Sequence, residues 1–129
     1  MTLKLIIVDD SRFQLHQLEN ALKDLDCEVK ACLKAEDVLD ELEKNKYDCV
    51  FSDLLMPEMD GFELTNKIRK KHPEQVIAVL TANIQKTAKE KCLELGINYF
   101  INKPFETEDL SSIIQELKQG GQGNDSVAS

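Results

Sequence analysis

Two adjacent aspartates, Asp9 and Asp10, follow the apolar run Leu5-Ile6-Ile7-Val8, and a third, Asp53, stands just past Cys49-Val50-Phe51. Lys103-Pro104 stands just past a third short apolar run, Tyr99-Phe100-Ile101. Carboxylates gathered at one edge raise each other's pKa unless something cationic relieves them. Lys103 is one source of that relief and a hard divalent cation, which prefers oxygen ligands, is the other. An aspartate after a strand also has a plainer reading as the cap of the next helix, and Asp10 or Ser11 suits that role for the first one. Capping does not account for Lys103. Thr81, after Val76-Ile77-Ala78-Val79-Leu80, is by itself a turn residue, and a lone Lys-Pro is a loop. Together they add a hydroxyl and a cation to three carboxylates, a set able to hold a metal ion and stabilise a charged group in transfer.

For these residues to meet, the elements before them must lie side by side. Apolar residues at Phe13, Leu18, Ala21, Leu22 and Leu25 follow a helical period, as do Ala35, Val38, Leu39 and Leu42, and then Leu64, Thr65 and Ile68. Two further helices carry Ile84, Ala88, Cys92 and Leu95, stopped by Gly96, and Leu110, Ile113, Ile114 and Leu117, stopped by Gly120-Gly121. Strands are expected between them over residues 3–8, 27–32, 47–52, 76–80 and 98–101. Strict alternation implies an α/β three-layer sandwich: parallel strands, right-handed crossovers, and helices on both faces. Strands one, three and four are almost wholly apolar, as buried central strands are. Strand two, Cys27-Glu28-Val29-Lys30-Ala31-Cys32, alternates and suits an edge. This favours the order 2-1-3-4-5, a common doubly wound arrangement whose switch point lies between strands one and three, which would bring Asp9, Asp10 and Asp53 into one crevice.

The chain has 129 residues, enough for one domain with a real core. Its 24 acidic and 16 basic residues, net charge −8, oppose binding to a phosphate backbone, so nucleic acid is discounted as a partner. No apolar stretch has the length of a membrane span or the form of a signal peptide, and a cytoplasmic location is the expectation. Cys27, Cys32, Cys49 and Cys92 form no CxxC pair and read as buried free thiols. His16 and His72 read as surface residues. Residues 119–129, rich in Gly, Gln, Asn and Ser, are expected to form a flexible polar tail after a domain spanning 1–118.

Four segments, Ile6-Ile7-Val8-Asp9-Asp10-Ser11, Asp53-Leu54-Leu55-Met56-Pro57-Glu58-Met59-Asp60-Gly61, Leu80-Thr81-Ala82 and Lys103-Pro104-Phe105, are jointly specific. Through them, over about residues 3–118, the chain resembles the receiver domain of two-component response regulators, most nearly the stand-alone chemotaxis-type (CheY-like) regulators. That family has the flavodoxin-like (βα)5 fold with strand order 2-1-3-4-5, so the order rests on the resemblance as much as on the strand pattern. The resemblance implies that Asp53 is the phosphoacceptor. It implies that Asp10, the Asp53 carboxylate and the Leu55 backbone carbonyl bind Mg²⁺, with Asp9 helping through water, and that Lys103 neutralises a phosphoryl oxygen. It further implies a cis Lys103-Pro104 bond, a stiff Met56-Pro57 loop, and closure of that loop by Asp60-Gly61. Signalling is expected through Thr81 and Phe100 to the face of helix four, strand five and helix five. Phosphoryl lifetime is expected to be tuned at Leu55, by shielding, and at Asn83, by placing water or a phosphatase's amide. The implied partners are a histidine kinase or histidine phosphotransfer domain, a downstream protein on that face, and a phosphatase. Phe100, where flagellar-switch regulators often carry Tyr, and Lys89 on helix four tell against a specific motor partner. A monomer or weak dimer is expected.

Three classes of function fit an aspartate-rich α/β crevice. A receiver accepts phosphate and catalyses only its own phosphorylation and dephosphorylation, so it is not expected to be an enzyme in the ordinary sense. A Mg²⁺-dependent aspartyl-phosphate phosphohydrolase is the alternative, but it calls for a cap insertion and an Asp-x-Asp after strand one. A flavin carrier calls for a hydroxyl- and glycine-rich phosphate loop after strand one, where Asp9-Asp10 would repel the ligand.

Overall fold

A computed structural model of the chain describes residues 2–56, 58–82 and 86–120. Strands and helices alternate: β1 (Lys4–Val8), α1 (Arg12–Lys23), β2 (Glu28–Cys32), α2 (Ala35–Lys44), β3 (Cys49–Asp53), α3 (Gly61–Lys71), β4 (Ile77–Thr81), α4 (Lys86–Glu94), β5 (Tyr99–Asn102) and α5 (Thr107–Lys118). All five strands are parallel, in the order β2-β1-β3-β4-β5. The edge strand β2 alternates in burial as its sequence does, whereas β3 and β4 are buried throughout.

Because successive strand residues point to opposite faces, the sheet divides the core in two. Leu5, Ile7, Phe51, Leu80, Tyr99 and Ile101 pack against α1 and α5. Ile6, Val8, Val50, Val79 and Phe100 pack against α2, α3 and Cys92 of α4. Each large side chain fully buried this way stabilises the fold by about 1.5–3 kcal/mol. One expectation fails: Phe13 does not join the buried stripe of α1 but stands 72% exposed. The stripe is Leu15, Leu18 and Leu22, and Phe13, five residues before Leu18, lies off the three- and four-residue spacing that shares a helix face. β3 also starts at Cys49 rather than 47. Tyr47 sends its hydroxyl to Glu41 Oε1 at 2.7 Å, and Asp48 Oδ2 accepts the Lys4 N–H at 2.8 Å.

Local chemistry ends and joins these elements. Ser11 caps α1, accepting the Gln14 N–H at 3.3 Å, and Asp60 caps α3 through the Glu63 N–H at 2.8 Å. Gly61, the first residue of α3, donates its N–H to Leu54 O at 2.8 Å. A Cβ there would fall 2.9 Å from Leu54 Cα and 3.0 Å from Asp53 O, so only glycine lets the helix close the loop this tightly. Gly96, with φ of 73°, ends α4 in a conformation that other residues adopt at a cost. At the opposite end of the sheet from Asp53, Arg69 donates to Gln75 O at 2.5 Å, Gly96 O at 2.6 Å and Asn98 Oδ1 at 3.2 Å, while Asn98 Oδ1 also accepts the Ile77 N–H at 2.9 Å.

The four cysteines are buried and free, and burial pushes the thiols of Cys32 and Cys92 up to about 11 and that of Cys49 higher still. His16 is exposed beside Asn20, and His72 lies 3.2 Å from Glu43. Among the described residues no helix is long and apolar enough to cross a membrane.

Candidate functional site

The register of the sheet decides which side chains meet. Val8 lies opposite Ser52 and Asp53 opposite Leu80, so the residues ending β1, β3 and β4 emerge at one edge. Asp9 is anchored twice: its N–H extends the β1–β2 ladder to Cys32 O at 3.3 Å, and its Oδ1 accepts the Ser11 N–H at 2.9 Å. Lys103 follows β5, its N–H donating to Thr81 O at 2.9 Å, and the bond to Pro104 is cis, as expected. From this anchored backbone the Lys103 ammonium reaches Asp9 Oδ2 and Asp53 Oδ1, each at 3.2 Å. Among the described residues its further contact is with Gln14 Oε1 on α1.

Asp9, Asp10 and Asp53 offer carboxylate oxygens within 4.8 Å of one another. Asp9 is 4% exposed and Asp53 9%, while Asp10 is open to solvent. The Asp53 carboxyl is held above its ordinary value of 3.8, chiefly by burial and further by the charge of Asp9. Lys103 and a hydrogen bond from the Leu55 N–H pull it the other way. Crowding of carboxylates is thus the lesser cause and desolvation the greater, since β3 is buried to its last residue. The donor set fits a hard dication: oxygen ligands only, two of them on strand ends and a third facing water.

Beside Asp53 and Lys103 opens a cleft of about 530 Å³, walled by Phe13, Gln14, Leu18, Pro104 and Phe105. Thr81, 1% exposed, closes β4 on the face that also holds Val79 and Phe100, and Phe100 is itself 2% exposed with the Lys89 ammonium 6.0 Å from its ring. The two residues expected to transmit a signal therefore share one face of the sheet. Leu55 is 62% exposed. Pro57, Asn83, Ile84 and the tail over 121–129 lie outside the described residues. Sequence reading missed Gln14 altogether. Its spacing from Ser11 signals a helix cap rather than a partner 89 positions away.

The model of the response regulator receiver domain family matches residues 5–115. The chain belongs to this family. Receivers take part in two-component signalling by accepting a phosphoryl group on an aspartate, and the flavodoxin-like topology seen here is theirs. This receiver is 34% identical over 126 residues to hybrid signal transduction histidine kinase L of Dictyostelium discoideum, covering 92% of this chain and 7% of that protein. It is 33% identical over 117 residues to the sensor protein EvgS of Escherichia coli (strain K12), covering 91% of this chain and 10% of that one. The receiver thus spans about a tenth or less of these relatives. Among solved structures it resembles the chemotaxis response regulator CheY4 of Vibrio cholerae, with TM-score 0.83, 27% identity, and coverage of 91% of this chain and 99% of that one. It likewise resembles the BeF3-activated DrrB receiver domain from Thermotoga maritima, with TM-score 0.82, 27% identity, and coverage of 92% and 99%.

Proposed function

We propose that Asp53 accepts a phosphoryl group from the phosphohistidine of a histidine kinase or phosphotransfer partner, in a Mg²⁺-dependent reaction. The observation that carries this is the Lys103 ammonium, 3.2 Å from both Asp9 and Asp53 at the end of the sheet. A carboxylate oxygen of Asp53 attacks phosphorus and forms the acyl phosphate. The bond from phosphorus to the donor breaks, and the donor's leaving atom departs with the electron pair. Lys103 faces the oxygens on which negative charge gathers, and transfer of this kind needs little beyond position and charge. Asp10, Asp53 and the Leu55 carbonyl would hold Mg²⁺, with Asp9, whose two oxygens already accept from Ser11 and Lys103, acting through water. The ion's contribution is to join carboxylates to the phosphoryl oxygens and offset their charge.

The phosphoryl group then draws on the Thr81 hydroxyl, and Phe100 repacks on the same face. This biases a surface of α4, β5 and α5 toward a downstream protein. The receiver acts on no substrate but itself. We place it in the cytoplasm, where free thiols such as its four cysteines persist.

Labelling with acetyl phosphate and Mg²⁺, mapped by mass spectrometry, tests the assignment. Modification is expected at Asp53 and is expected to vanish in Asp53→Asn. Modification mapped to Ser52, His16 or His72 overturns it.

A further inference from the structure

Ser11-Arg12-Phe13-Gln14 has the Ser-x-x-Gln spacing of a capping box, in which the glutamine side chain reaches back to the N–H of the capping serine. Half of that box forms: the Gln14 N–H donates to Ser11 Oγ at 3.3 Å. The other half does not, because the Ser11 N–H is already taken by Asp9 Oδ1 at 2.9 Å. Gln14 is thereby released from its local partner, and its Oε1 accepts instead from the Lys103 ammonium. An ammonium has three N–H donors. Among the described residues those of Lys103 face three oxygens: it hydrogen-bonds Asp9 and Gln14, and Asp53 Oδ1 lies 3.2 Å away as an ion pair.

The acceptors differ in charge. Two are carboxylates, and one of these, Asp53, becomes an acyl phosphate on phosphorylation and loses its carboxylate charge, which leaves a weaker, carbonyl acceptor. Asp9 and Gln14 are the two acceptors that this step leaves unchanged, and they keep the ammonium in place while its third donor turns to the phosphoryl group. A neutral acceptor suits this position, since it orients the lysine without cancelling its charge.

We propose that Gln14 is a positioning residue for Lys103: a neutral third acceptor that holds the ammonium over the phosphoacceptor and leaves its charge available to the phosphoryl oxygens. The role rests on the reading that Asp53 is phosphorylated. With an apolar side chain at this position that N–H of Lys103 has only water to bond, and the long side chain is free to turn toward it. A glutamate holds the lysine equally well but adds a competing charge to a site that already has three carboxylates.

Two measurements on wild type, Gln14→Leu and Gln14→Glu separate holding from charge. The first is the acylation rate of Lys103 relative to exposed lysines, with acetic anhydride, metal and phosphodonor absent, read by mass spectrometry. The second is the rate of Asp53 phosphorylation by saturating acetyl phosphate with Mg²⁺. Losing one hydrogen bond of ordinary strength implies changes of about three- to tenfold. Gln14→Leu is expected to raise Lys103 acylation and slow phosphorylation by such factors. Gln14→Glu is expected to keep Lys103 as protected as in wild type and yet slow phosphorylation. Gln14→Leu that leaves phosphorylation at the wild-type rate overturns the proposal, and so does Gln14→Glu at the wild-type rate. If wild type takes no phosphate on Asp53, the phosphoacceptor reading fails, and the role with it. If wild type is phosphorylated and the variants match it, only the role of Gln14 fails.

Discussion

Two cations, Arg69 and Lys103, sit at opposite ends of the sheet and are surrounded in opposite ways. The Arg69 guanidinium donates to neutral oxygens, two backbone carbonyls and the Asn98 amide, and burial alone draws its pKa down. Lys103 faces two carboxylates, one of which, Asp53, is held above its ordinary value because the fold desolvates it more than the lysine relieves it. One end of the sheet satisfies its polar groups. The other keeps negative charge in a state that its lysine relieves only in part and that a further cation would complete. The comparison teaches that stability and reactivity are separated along the strands, so changes at the two ends should move in opposite directions.

The largest effect is expected where satisfaction is complete. Arg69→Leu removes the donor to the Gly96 and Gln75 carbonyls and one partner of Asn98 Oδ1, which keeps the Ile77 N–H, and stability should fall by about 1–3 kcal/mol, the cost of a part-buried acceptor left unpaired. Urea denaturation measures this. Acetyl-phosphate labelling of the folded fraction at Asp53 should be unchanged, and a parallel loss of labelling would dissolve the distinction between the two ends.

At the other end, Asp53→Asn should raise the thermal midpoint of the metal-free protein at pH 7 by a few degrees. The folded state holds the Asp53 proton more tightly than the unfolded chain does, so ionisation works against folding. The gain should shrink as pH falls through the folded value of Asp53 and be gone below 3.8, where the carboxyl is neutral in both states. Mg²⁺ should raise the wild-type midpoint more than the variant's, because an ion that binds only the folded form stabilises it by mass action. Calorimetry over a pH series reads all three, and a variant less stable than wild type at pH 7 would break the contrast.

The smallest effect concerns lifetime. Leu55 stands two residues past Asp53, 62% exposed and with no group to orient water. Leu55→Asn should speed loss of the phosphoryl group by about two- to fivefold, far below the 10²–10⁴ of full general acid–base catalysis. Phosphate release after donor removal measures this, and a variant as slow as wild type would show that the position does not gate water.

What the sequence made legible follows from where each signal lies. The alternating run of β2 against the continuous runs of β1, β3 and β4 marked edge and centre, and the order of strands then brought Asp9, Asp10, Asp53 and Lys103 together. Residues tied to strand ends were therefore readable. Gln14 was not, because helix α1 brings it to a lysine 89 positions away while its local spacing points to a cap. Phe13 was grouped with the buried helical stripe, although its five-residue distance from Leu18 takes it off that face, and it lines the cleft instead. The Arg69 junction left no trace in the pattern, since most of its acceptors are backbone carbonyls, which every residue carries.

The buried thiols carry a consequence for watching this receiver move. A thiol pushed to about 11 in a closed core reacts with alkylating reagents only when the surrounding structure opens, so each cysteine times the opening of its own element. Cys49 lies in the central strand β3 and keeps time for the whole sheet. Cys92 lies on α4, against the layer that holds Phe100, and keeps time for that helix alone. The ratio of their alkylation rates is a clock, built from native residues, that separates a shift of α4 from unfolding of the domain.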